Sequence, residues 1–154
     1  MRRVLITGMS ATGKSTLVAA LRSAGLLAFD ADDGWVQVRS DGTQLWKIDA
    51  IRDLLTTHAD EIVVFAGCEE NMGEVTHHFD DIILLTVPRD VLIHRLATRS
   101  TNDFGKSEQQ RTQILTDLDD VEPRLRTIAT HVIDTDRPLR EVVNEVLQIC
   151  SGAR

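Results

Sequence analysis

Short apolar runs alternate with helically spaced apolar positions along the whole chain. Val4-Leu5-Ile6-Thr7 is a short, β-branched run followed by a glycine loop, the pattern of a buried strand. From Lys14 to Ala24 the residues Leu17, Val18, Ala20 and Leu21 recur at helical spacing, and Gly25 ends that helix. Leu26 to Phe29 predicts a second strand closed by Asp30, and Glu61 to Ala66 a third closed by Gly67. Ile82 to Val87 predicts a fourth, ended by Pro88, and Val132 to Asp134 a fifth. Helices are predicted over Asp49–Ala59, Asp90–Arg99 and Glu108–Ala129, the last with a break or a new first turn at Pro123. A terminal helix opens at Pro138, with Leu139, Val142, Val143, Val146 and Leu147 as its apolar stripe. Trp35 to Lys47 departs from this rhythm. Two alternating segments flank Asp41-Gly42 and predict a small β-hairpin.

Strands alternating with helices predict an α/β domain with a mostly parallel sheet. Ligands of such sheets sit beyond the carboxyl ends of the strands. The segments to search are therefore Gly8–Ser15, Asp30–Asp33, Gly67–Asn71 and Pro88 onward.

The first of these matches G-x-x-x-x-G-K-[ST] at every fixed position: Gly8-Met9-Ser10-Ala11-Thr12-Gly13-Lys14-Ser15. It also lies between a strand and a helix, as the chemistry requires. Glycines let backbone N–H groups converge on phosphate oxygens, and the following helix adds its positive end. Gly8, Ser10, Ala11, Thr12, Gly13, Lys14, Ser15 and Thr16 are thus the expected nucleotide-binding residues. Lys14 supplies a mobile charge for the β- and γ-phosphates, and Ser15 a hydroxyl for Mg²⁺. ATP and Mg²⁺ are the cofactors this predicts.

Asp30-Ala31-Asp32-Asp33 follows the second strand. Strand ends lie about 5 Å apart, or about 10 Å with one strand between. Asp30 or Asp32 is thus within reach of the metal region or of a substrate hydroxyl, one as metal partner and one as base. A helix cap or a turn cluster is the plainer reading of the same residues.

Composition narrows the partners. With 154 residues the chain fits one domain, and a net charge of −7 argues against a broad nucleic-acid surface. Cys68 and Cys150 are too few for a disulfide framework or a structural metal site and fit reduced thiols of a cytoplasmic protein. No apolar run approaches the ~20 residues of a membrane span. The start, Met1-Arg2-Arg3, leads into too short an apolar stretch for a secretion signal. A monomer or homodimer is expected, with a nucleotide and a small-molecule acceptor as partners.

At this point the chain resembles the small P-loop kinases of the shikimate, gluconate and adenylate kinase type. The loop at the extreme N-terminus carries the resemblance, together with Asp30-x-Asp32, which is similar to the acidic pair serving Mg²⁺ and the acceptor hydroxyl in shikimate and gluconate kinases. Leu92 to Arg99 resembles the helix entering the adenylate kinase lid, which implies Arg95 over the adenine and Arg99 at the phosphates. Asp134 to Leu139, including Pro138, resembles the turn lining the adenine pocket. The resemblance implies a P-loop NTPase fold: five mostly parallel strands in the order 2-3-1-4-5, with helices on both faces. One domain would span 1–154, with a substrate-side insertion at about 31–60 and a short lid at about 99–108. A closer resemblance is to uncharacterised small bacterial proteins described as AAA-type ATPases or nucleotide kinases. Their lid reads Arg-x-x-Asn-x-(Phe/Tyr)-Gly-Lys, matched by Arg99, Asn102, Phe104, Gly105 and Lys106. The chain departs from adenylate and shikimate kinases at Ala66-Gly67-Cys68-Glu69-Glu70-Asn71, where they carry Asp-Gly-Phe-Pro-Arg or three glycines.

The expectation is a kinase moving the γ-phosphoryl of ATP to a hydroxyl of a small molecule, with Lys14, Asp32 and Arg99 as catalytic residues. Asp30, Asp32, Gly67, Glu69, Arg52 and Arg124 are the candidate acceptor residues, and Ser15 and Asp30 the candidate metal residues. Asp30, Asp32, Asp33, Glu69 and Glu70 crowd the acceptor side against Arg39, Lys47 and Arg52, so a neutral polyol or a cation suits it better than a phosphate. The alternatives are a nucleoside or nucleotide kinase of adenylate kinase type and an ATP-binding regulator with incidental ATPase. Trp35 and Trp46 are either a satellite core under the hairpin or a pocket wall. His77-His78 lacks metal-ligand spacing, and Asp117 to Glu122 fits a solvated helix face.

Overall fold

The computed structural model describes residues 1–98 and 107–152. Among the described residues, seven strands form two sheets. β1 (Arg2–Thr7), β2 (Leu27–Asp30), β5 (Ile62–Ala66), β6 (Asp81–Thr86) and β7 (His131–Asp134) form the main sheet in the order β2-β5-β1-β6-β7. All its pairings are parallel. Without the two hairpin strands this is the expected order 2-3-1-4-5. The hairpin itself, β3 (Val36–Val38) and β4 (Gln44–Trp46), pairs only with itself, with Val36 opposite Trp46 and Val38 opposite Gln44.

Period-two alternation in the strands divides the core into two layers. Val4, Ile6, Val64, Ala66, Ile83 and Leu85 face α1 (Lys14–Ser23) and α5 (Leu139–Cys150). Leu5, Val63, Phe65, Ile82 and Leu84 face α2 (Ile48–Thr57), the hairpin and α4 (Glu108–Ile128). Leu92 and Leu96 of α3 (Arg89–Thr98) pack on Ile114 of α4 in a third cluster, which Ala11 joins.

α4 is one continuous helix of 21 residues, with Pro123 inside it. The break predicted at Pro123 is therefore corrected. Its ring removes one N–H, which would have bonded the carbonyl of Asp119. Both residues are exposed, so water can satisfy that carbonyl and the helix continues. Trp46 is resolved as core: it is 1% exposed and meets Phe65 edge-to-face at 5.2 Å. Trp35, half-buried, packs edge-on against both Phe29 and Phe65.

At the opposite end of the sheet from the glycine loop, Arg2 Nε donates to Asp81 Oδ2 at 2.6 Å, with Asp81 1% exposed. Burial pushes the nearby Cys150 thiol up to about 11. His77 and His78 stack in a short 3-10 turn, and no cluster able to hold a metal ion occurs among the described His, Cys, Asp and Glu residues.

Candidate active site

The loop after β1 is fixed by close packing. A Cβ on Gly8 would lie 2.7 Å from the Leu85 carbonyl oxygen and 2.9 Å from Thr12 Oγ1, so only glycine lets the loop leave β1 pressed against β6. Ala11 sits at φ 65, in the left-handed region. Among the described residues no side chain caps the first turn of α1, and the positive end of that helix opens directly on the loop. Lys14 Nζ folds back over the loop and donates to the Gly8 carbonyl at 2.6 Å and the Met9 carbonyl at 2.9 Å.

The second strand delivers its carboxylates to the same place. Ser15 Oγ donates to Asp30 Oδ2 at 2.5 Å, while Asp30 Oδ1 accepts the Asp32 N–H at 3.0 Å. This second bond is an Asx turn, and it swings Asp32 towards the loop. Asp32 lines one cleft of about 490 Å³ with Gly13, Lys14, Ser15 and Thr16. Partial desolvation, and then the Asp30 charge, raises the Asp32 pKa above the ordinary carboxylate value, with Lys14 opposing. Glu69, beyond β5, is likewise raised by desolvation and then by Asp32. A hydroxyl and a carboxylate are hard oxygen donors of the kind Mg²⁺ takes, one or two from the protein with phosphates completing the shell. Ser15 and Asp30 fit that requirement.

The far wall of the cleft comes from α3 and the turn into α5. Arg95 Nη1 donates to the Ala11 carbonyl and to Thr135 Oγ1, each at 3.2 Å, and Nη2 donates to the Thr135 carbonyl at 3.0 Å. The guanidinium is thus bound edge-on to the loop and to the end of β7. Thr98, Arg137 and Leu139 line the cleft beside it. Pro138 is the residue preceding α5 and fixes the entry of that turn. Thr98 carries no sequence signal, and Thr135 takes part through a hydroxyl that only the packed structure places.

The remaining candidates disperse. Gly67 is buried, and a Cβ there would lie 2.6 Å from Ala31 Cβ and 2.9 Å from Trp46 Cζ2. Its role in the fold is to let the indole close over the end of β5. Trp46 Nε1 is a buried donor with no hydrogen-bond partner among the described residues. Arg52 pairs with Asp49 at 3.7 Å and lines a wider depression of about 840 Å³ outside the hairpin. There Arg39, Lys47 and Arg52 face Asp49, Glu70 and Glu74, and no residue of the glycine loop contributes. Arg124 is exposed on α4 and does not line the cleft. Arg99 and Lys106, with the rest of the predicted lid from 99 to 106, lie outside the described residues.

A parallel sheet in this order, with a glycine loop cradling the N-terminus of α1, defines a P-loop nucleotide-binding protein. The AAA domain family matches residues 4–116, and the chain belongs to that family. It is 27% identical over 183 residues to a shikimate kinase of Salinibacter ruber (strain DSM 13855 / M31), across 97% of this chain and 85% of the relative. The shikimate kinase of Acinetobacter baumannii in complex with shikimate superposes with a TM-score of 0.69 at 14% identity, over 99% of this chain and 94% of that one. A gluconokinase from Sinorhizobium meliloti 1021 gives 0.61 at 19% identity, over 98% and 92%. By fold, the chain stands with the small P-loop kinases.

Proposed function

We propose that the chain is an ATP-dependent phosphotransferase that moves the γ-phosphoryl group of ATP to a hydroxyl of a small polyhydroxylated molecule. The observation that carries this reading is the placement of Asp32 on the same cleft wall as Lys14. A cradle alone holds phosphate. A carboxylate lining the same cleft, its pKa raised above the ordinary value by partial desolvation and by Asp30, gives the site a base for an incoming hydroxyl.

In this reading the loop amides and Lys14 hold the β- and γ-phosphates, and Ser15 and Asp30 hold Mg²⁺. The metal supplies charge neutralisation at the transferring group. Asp32 accepts the proton of the acceptor hydroxyl as its oxygen meets the γ-phosphorus. Lys14 offsets charge on the phosphoryl oxygens. Arg99 is proposed as a further cation at the phosphates. The acceptor sits between Asp32 and the Gly67–Glu69 segment. Relatives named for shikimate and gluconate support a hydroxyl-bearing acceptor. The carboxylates of Asp30, Asp32 and Glu69 favour a neutral or cationic one.

The second reading, a nucleotide kinase, would draw on Arg39, Lys47 and Arg52 for an acceptor phosphate, but Asp49, Glu70 and Glu74 line the same depression and no residue of the glycine loop does. ADP release, measured against sugars, polyols, amino alcohols, nucleosides and nucleoside monophosphates, separates the two, with Lys14→Ala as the inactive control. Turnover of order 10 s⁻¹ with a polyol or amino alcohol supports the proposal. The same rate with a nucleoside monophosphate selects the nucleotide kinase. Tight ATP binding that no acceptor accelerates leaves a nucleotide-binding regulator.

A further inference from the structure

We propose that Thr135 is a positioning residue for the phosphate loop: its hydroxyl, locked between Thr12 and Arg95, holds the peptide whose N–H faces the phosphates. The inference rests on the nucleotide-binding part of the proposed function and not on the identity of the acceptor.

Thr135 follows the last residue of β7 and is 9% exposed. Its N–H donates to the Thr86 carbonyl at 2.8 Å, so its backbone is fixed by the neighbouring strand end. The side chain turns towards the loop. Oγ1–H donates to the Thr12 carbonyl at 2.7 Å; the Thr86 carbonyl, at 3.4 Å, is the longer alternative. The same oxygen accepts from Arg95 Nη1 at 3.2 Å, and the Thr135 carbonyl accepts from Nη2 at 3.0 Å. Arg95 Nη1 also donates to the Ala11 carbonyl at 3.2 Å. Two consecutive loop carbonyls, those of Ala11 and Thr12, are therefore gripped from outside by one threonine and one arginine.

The grip has a directional consequence. A trans peptide is planar, with its C=O and N–H pointing in opposite directions. Fixing the Thr12 carbonyl on Thr135 therefore fixes the orientation of the Gly13 N–H, within the cleft that Gly13 and Lys14 line together with Thr135 and Arg95. Ala11 is a non-glycine residue at φ 65, a conformation that persists only where its surroundings enforce it. The Arg95 bond to its carbonyl is such an enforcement. Thr135 also makes the P-loop answer to elements far from it in sequence. It stands 123 positions from Thr12 and 40 from Arg95.

The test measures dissociation constants for MgATP and for inorganic tripolyphosphate, which has no base and reports on the cradle alone. Thr135→Val keeps the shape and removes the hydroxyl, and it is expected to weaken both by about tenfold. Thr135→Ser is expected to restore both. A merely structural threonine predicts a lowered Tm and a smaller active fraction, with dissociation constants unchanged in the folded protein; that result overturns the inference. If Thr135→Val does not fold, Thr135→Ala removes the same hydroxyl with less bulk, and undiminished tripolyphosphate affinity in that variant overturns the inference equally. Wild-type protein that binds no ATP removes this inference together with the nucleotide-binding reading. Wild-type protein that binds ATP but phosphorylates no acceptor removes only the kinase reading and leaves the Thr135 result standing.

Discussion

Ser15 and Asp30 are joined across the sheet: the serine hydroxyl at the start of α1 donates to the carboxylate at the end of β2, at 2.5 Å. β5 lies between β1 and β2 in the sheet, so the bond ties the start of α1, just after the glycine loop, to a strand two places from β1. Two hard oxygens are thus brought together at one point. Asp30→Asn is expected to raise the Mg²⁺ concentration for half-maximal turnover by about 10- to 100-fold, with the fold intact by circular dichroism. An unchanged Mg²⁺ titration would show that Asp30 only caps the turn.

If Asp32 is the base proposed above, it sets the pH dependence. Its pKa lies above the ordinary 3.8 because desolvation and Asp30 outweigh Lys14, and Asp33 adds a smaller push in the same direction. A base must be ionised, so the acid limb of kcat/KM is expected above 3.8. Asp33→Asn is expected to shift it downward. Stability runs in the opposite sense. A raised native pKa means that the folded chain binds the proton more tightly, so this group's contribution is full below 3.8 and is lost as pH rises through the native value. Asp32→Asn should cost about 10²–10⁴ in kcat. A limb at or below 3.8 that Asp33→Asn does not move removes Asp32 as the base.

Gly67 is the tightest point beside the acceptor side. Gly67→Ala forces a methyl to within 2.6 Å of Ala31 Cβ and 2.9 Å of the Trp46 ring. Overpacking of this kind costs about 1–3 kcal/mol, read as a lower urea midpoint, with a change in tryptophan fluorescence as the indole shifts. Adding Ala31→Gly should recover part of the loss. Full additivity of the two changes would place the strain elsewhere.

The Arg2–Asp81 pair predicts a stability effect separated from activity. Arg2→Met leaves a carboxylate that is 1% exposed without its guanidinium, with only His131 Nδ1, at 3.8 Å, beside it among the described residues, and is expected to lower the thermal and urea midpoints. The pair lies at the far end of β1 from the glycine loop, so MgATP affinity should stay unchanged below the melting transition.

Much of this was legible in the sequence, for identifiable reasons. The strands are apolar on both faces because the sheet is covered on both faces, so Val4 to Ile6 and Ile82 to Leu85 stand out as runs. The hairpin was legible from Asp41-Gly42. The loop is one residue longer than the simplest turn, since the Arg39 N–H reaches the Thr43 carbonyl at 2.8 Å across three residues. Pro123 misled because a proline's effect depends on which side of the helix loses its bond, and here that side faces water. The arginines were hardest to assign. Arg52 and Arg95 both sit on helices after a strand, yet Arg52 faces the depression outside the hairpin and Arg95 faces the P-loop. Helical phase against distant elements decides that, and it is absent from a local window. Thr135 was illegible for the same reason, as its three partners come from three other segments.

The hairpin touches the rest of the molecule differently from every other strand. It shares no ladder with the five-stranded sheet; the Asn71 side chain instead accepts the Trp46 N–H at 2.9 Å and donates to its carbonyl at 3.0 Å, standing in for a missing strand. The Trp35 N–H bonds the Ala31 carbonyl at 3.1 Å. Among the described residues, 35–47 are therefore held by the Asn71 amide, by backbone bonds at each end (Trp35 N–H to the Ala31 carbonyl, Ile51 N–H to the Lys47 carbonyl) and by a patch of aromatic rings. The turn at 39–43 lies outside these contacts, so its length can change without disturbing a rung of the main sheet, whereas Trp46 ties the base of the hairpin to the core and to Gly67.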